Sequence, residues 1–142
     1  MEFMQPTYNQ SRLLDECVAA CRLEAPDLAE ELHTQFSEIL CAQSEHCEVC
    51  FDIVPARHGL PAIGPAHGFD ITSLGPKRVS HEGNPLRFVS ATAPDHEPVA
   101  VLLWHDHGIV SSVEVEYVGE GHPRLEDFPF PLMWEPNPQD IA

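Results

Sequence analysis

The sequence predicts an α+β domain: two N-terminal antiparallel helices, then an antiparallel sheet of four to five strands, then a Pro-rich C-terminal tail. Three observations carry that reading. Apolar residues recur at helical spacing up to Leu40. From Val49 onward they alternate. The 142 residues, 43% of them hydrophobic, fit one domain of ordinary size. The expected organisation is therefore a single domain over 1–142, divided into a loose arm (1–10), a helical pair (11–43), the sheet (48–118) and an acidic tail (119–142).

Each element has a local reason. Ser11 is a good N-cap, and Leu13, Leu14, Cys17, Val18 and Cys21 behind it form one apolar stripe at three- and four-residue spacing. Pro26 ends that helix. Asp27 opens the next, with Glu30 three residues on in a capping-box arrangement. Leu28, Leu32, Phe36, Ile39 and Leu40 supply the second apolar face, and the short link between the two helices implies an antiparallel pair. Val49, Phe51 and Ile53 alternate with Cys50 and Asp52, as in a half-buried strand. The stretch 55–85 is rich in Gly, Pro and His and reads as loop, with short strands near 69–72 and 78–82. Strands follow at 86–93 and 98–105. The second is apolar on both faces, as in a strand covered on both sides. Asp106-His107-Gly108 reads as a tight turn into a strand over 109–117, where Ile109, Ser111, Val113, Val115 and Tyr117 share one face and Val110, Ser112, Glu114 and Glu116 the other. Pro123, Pro129, Pro131, Pro136 and Pro138 then argue against regular structure in the tail, which Phe128, Phe130 and Trp134 would anchor.

Charge narrows the function classes. Seven Lys and Arg face 23 Asp and Glu, a formal net charge of −16. Such a surface repels nucleic-acid phosphates and anionic lipid and attracts basic proteins. No run of about 18 apolar residues is present, so no membrane span is expected. Residues 1–11 lack the basic start and apolar stretch of a secretory leader, so the expected location is the cytoplasm. The five cysteines would then be reduced.

Four constellations bear on chemistry. Cys41, His46, Cys47 and Cys50, at the junction of helix and sheet, have residue types able to hold zinc, with His58 or His67 as substitutes. A redox role would require the CxxC at a helix start, whereas here it runs into a strand. His105-Asp106-His107 is either a metal-binding pair with a carboxylate or a polar turn, and the turn reading is preferred. No nucleophile elbow, phosphate-binding glycine loop or HExxH occurs, so no catalytic residue is assigned. Last, Glu114, Glu116 and Tyr117 on the final strand, with Glu120, Glu126, Asp127 and Trp134 beyond it, form a candidate surface for a basic partner, competing with a simpler reading as solvated, edge-protecting charge.

The hairpin from Val101 to Tyr117, with its Trp-His-Asp-His-Gly turn and the Val-Glu-Val-Glu-Tyr strand before an acidic segment and Pro129, resembles small acidic α+β proteins of bacteria that are similar to immunity proteins of contact-dependent and polymorphic toxin systems. The resemblance spans about residues 11–130, is specific at the hairpin alone, and supplies no catalytic residues. It implies a stoichiometric inhibitor that occludes a basic toxin or effector domain. The alternatives are an anti-defence protein of phage type that mimics DNA, or a small zinc-stabilised domain.

Overall fold

The computed structural model describes residues 2–44, 47, 49–57, 59–63, 85–90, 99–117 and 124–135. Two helices, α1 (Tyr8–Cys21) and α2 (Pro26–Phe36), precede six strands: β1 (Ile39–Gln43), β2 (Phe51–Pro55), β3 (Leu86–Ser90), β4 (Val99–Asp106), β5 (Ile109–Tyr117) and β6 (Leu132–Glu135). The strands form one sheet in the order β1-β2-β5-β4-β3-β6, every neighbouring pair antiparallel. The architecture is α+β as predicted, with six strands in place of four to five. The expected strands at 69–72 and 78–82 lie outside the described residues.

The helical layer starts earlier than predicted. Thr7, not Ser11, caps α1: its hydroxyl accepts the Gln10 N–H at 3.1 Å while Gln10 Oε1 accepts the Thr7 N–H at 2.9 Å, a reciprocal capping box. The arm before it is tied down by Met4, which exchanges both backbone hydrogen bonds with Cys41 of β1. At α2, Pro26 is the first helical residue and not the end of α1, and no side chain caps the helix; Asp27 sits in the first turn. Leu13, Leu14, Cys17, Val18 and Cys21 of α1 and Leu28, Ala29 and Leu32 of α2 are buried in the core.

Two strands stand where the sequence predicts helix or irregular chain. Ile39 and Leu40 continue the apolar spacing of α2, but α2 stops at Phe36, and Ser37 closes it with its N–H and its hydroxyl on the Thr34 carbonyl. A short apolar run satisfies both periods, and here pairing with β2 decides for strand. In the tail, β6 occupies the gap between Pro131 and Pro136. As an edge strand it needs hydrogen bonds on one side only, which it makes with β3, so flanking prolines do not break it.

The core lies between the helices and one face of the sheet: Cys41, Phe51, Ile53, Leu86, Phe88, Val101, Leu103, Val113, Val115 and Leu132 all belong to it. β4 is buried at every position from Val99 to His105, as a strand covered on both faces should be. The expected alternation of β5 holds only from Ser112 onward. A bulge opposite Trp104/His105 makes Ser111 the extra residue, with its hydroxyl toward the Trp104 carbonyl (3.4 Å), and brings Val110 opposite His105 into the core.

The β4–β5 turn is held from α2. Gln35, 2% exposed, donates through Nε2 to the carbonyls of Pro61 and Gly108 (both 2.8 Å) and accepts the Val110 N–H at 3.0 Å. Ile63 N–H joins at the same Gly108 carbonyl, 2.9 Å away. His107 and Gly108 both have positive φ, 52° and 82°, the backbone of a type I′ turn. A side chain at Gly108 would stand 2.7 Å from the Ile63 carbonyl oxygen. Replacing Gln35 by Leu leaves the Val110 N–H and the Pro61 carbonyl without their partner, and the expected loss is about 2–4 kcal/mol in urea unfolding. Gly108→Ala combines that close approach with a disfavoured φ and is expected to cost at least about 2 kcal/mol in the same assay.

Candidate functional site

The predicted partner surface divides between the two faces of the sheet. Glu114 and Glu116 lie on the face away from the helices, opposite Leu102 and Ala100 of β4. Glu114 accepts the indole N–H of Trp104 at 3.0 Å, a diagonal cross-strand bond that fixes both side chains. Glu116 binds Arg87 Nη1 at 2.7 Å. Because β4 stands between β3 and β5, Arg87 must reach across it, and Ala100, with a smaller side chain than Leu102 or Trp104 on the same face, leaves the room. Arg87 also lies 3.5 Å from Glu135 of β6, so one guanidinium serves two carboxylates.

Glu126 and Asp127 sit elsewhere, in a 3₁₀ turn, Leu125–Asp127, that packs beside α1. Arg124 pairs with Glu126, and Asp127 is exposed. Phe128, next in sequence, is buried in the core, and Phe130 stacks at 5.2 Å on it and carries the Arg12 guanidinium at 4.8 Å from its ring centre. Glu120 lies outside the described residues.

Of the two expected aromatic anchors, Tyr117 is 38% exposed at the end of β5. Trp134, half-buried in β6, pairs with Phe88 and packs against the core, while its neighbour Met133 points the other way and is 56% exposed. Sequence reasoning missed Met133 and Arg87. Alternation through Leu132, Met133 and Trp134 was the available signal, hidden by treating the tail as irregular.

The cysteine cluster is not assembled as a four-ligand set among the described residues. The junction is the connection of the β1–β2 hairpin, and there Cys47 and Cys50 form a disulfide, with Cα atoms 5.2 Å apart. This departs from the expectation of five reduced thiols. Gln43 Nε2 donates to the carbonyls of Cys47 (2.9 Å) and Cys50 (3.3 Å), and the Cys50 sulfur accepts the Val115 N–H at 3.4 Å, linking the bend to β5. Cys41 is a free thiol buried in β1; His46, His58 and His67 lie outside the described residues. Among the described residues no three His, Cys, Asp or Glu come together as a metal site. The His105-Asp106-His107 motif is split: His105 is wholly buried on the core face, whereas His107 occupies the exposed turn with Nδ1 3.1 Å from Asp106.

No protein-family model matches this chain, nor does any curated protein or solved structure. Among the described residues no helix is long and apolar enough to cross a membrane.

Burial raises the thiol pKa values of Cys17, Cys21 and Cys41, the latter two from 9.0 to about 11. In the folded state these thiols keep their protons over a range in which the unfolded chain releases them. Stability should therefore be full below about pH 9 and decline as pH rises toward 11, which urea midpoints across that range will show. A second check concerns the pairing. Alkylation after denaturation without reductant should add three groups per chain, and five after reduction.

Proposed function

We propose that this protein is a stoichiometric inhibitor that binds a basic protein, in the manner of an immunity protein against a toxin or effector domain, and acts in the cytoplasm by occlusion. The observation that carries the reading is how the few cations are used. Of the five arginines among the described residues, Arg57 pairs with Glu38, Arg87 with Glu116 and Glu135, Arg124 with Glu126, and Arg12 lies over Phe130. Four of these five are engaged within the chain, and Arg22 is exposed. Carboxylates such as Asp15, Glu24, Asp27 and Glu30 remain exposed, and the net charge of −16 acts outward. A field of that sign speeds encounter with a basic partner and disfavours nucleic acid. The resemblance of the hairpin to small acidic bacterial proteins, which are similar to immunity proteins, supports the same reading.

A tagged chain used as bait in its native host should retain one basic protein at equimolar ratio in low salt and release it in high salt, and should inhibit that protein's activity at one-to-one ratio. Retention of no protein at either salt, or retention without inhibition, defeats the reading. An anti-defence mimic of DNA would instead capture a nucleic-acid-binding enzyme and compete with its DNA.

A further inference from the structure

A recess of about 390 Å³ is lined by Arg87, Val89, Ala100 and Glu116 of the sheet face away from the helices, together with Val99, Val115 and Tyr117, which alternate with them along β4 and β5. Its chemistry is mixed. Ala100 and Val89 give it an apolar surface, and Met133, paired with Val89 across β3 and β6, stands exposed beside it. Two carboxylates converge there, Glu116 at 2.7 Å and Glu135 at 3.5 Å from a single arginine, so the group keeps one negative charge in excess.

The geometry points to this recess as the seat of one arginine side chain of a basic protein partner, with Glu116 as its acceptor. The assignment rests on the inhibitor reading and adds the anchor that reading lacks. An arginine has an aliphatic stem that suits the Val89, Ala100 and Met133 surface, and a planar fork that a carboxylate receives with two parallel hydrogen bonds. Arg87 already holds the position the incoming fork would take. It can yield because Glu135 is a second acceptor within reach on the neighbouring strand: the incoming arginine takes Glu116, and Arg87 closes onto Glu135. No carboxylate is then left without a cation, and no guanidinium without a carboxylate. Arg87 thus acts as an internal stand-in for the ligand. A lysine, with no planar fork and a strongly hydrated head, matches the site less well.

The test uses the intact chain and N-acetyl-argininamide as probe, followed through backbone amide shifts in NMR titration. Saturable shifts are expected at Ala100, Glu116 and Tyr117, with none for the neutral isostere N-acetyl-citrullinamide. Glu116→Gln should weaken the probe about tenfold, as loss of a charge-assisted bond requires. Glu38→Gln, whose carboxylate pairs with Arg57 between α2 and β1, should leave it unchanged. Arg87→Gln removes the competitor and should tighten it about two- to fivefold. Equal weakening by the two Glu→Gln variants, shifts spread over carboxylates generally, or weaker binding in Arg87→Gln would overturn the assignment. The outcomes also separate the two levels of the reading. A chain that binds the probe as described but retains no basic protein loses the inhibitor function and keeps the recess. A chain whose partner ignores Glu116→Gln keeps the inhibitor function and loses the recess.

Discussion

The amide of Gln35 gathers three backbone groups from two segments remote from α2 in sequence: the Pro61 carbonyl, the Gly108 carbonyl and the Val110 N–H. Buried and using both ends, it fixes where the β4–β5 turn stands relative to the helical layer. The turn in turn sets the bulge at Ser111, and the bulge sets which residues of β5 face the core and which carry Glu114 and Glu116 outward. A polar side chain in an apolar core is costly unless fully partnered, and a fully partnered one admits a single arrangement. The acidic face is therefore positioned by an uncharged residue on the opposite side of the sheet.

Much of this was legible. The two helical stripes, the hairpin with its glycine turn and the continuous burial of β4 follow from periodicity and from the need for positive φ at Gly108. What failed did so where two local signals competed. Thr7-Tyr8-Asn9-Gln10 is a capping box in plain sequence, yet Ser11 offered a cap just as plausible. Ile39 and Leu40 fit a helix until partner strands are considered, and pairing is not written locally. Prolines argued against β6 because edge position, which makes them harmless, is a property of the whole sheet.

The candidate site was legible in part for the same reason. Glu114 and Glu116 could be placed on one face from alternation alone. That Glu116 would meet an arginine two strands away could not, since it depends on β3 lying beside β4 and on the small side chain of Ala100 between them. Glu126 and Asp127, close in sequence to the hairpin, proved to belong to the helical side. Charge count reads from composition. Charge arrangement does not.

The strand order also constrains how the chain reaches its folded state. β2 and β5 are neighbours in the middle of the sheet although more than 50 residues separate them, and their ladder is short, Phe51 with Val113 and Asp52 with Ser112. The first two strands and the last four are thus joined along a narrow seam, while α1 crosses to pack against β6 at the far edge. Closing so long a loop precedes most of the contacts that repay it. On a ribosome, the part of α1 that packs against β6 would stay uncovered until the last strand has been synthesised, long after α2, β1 and β2 are available to the rest of the helical layer.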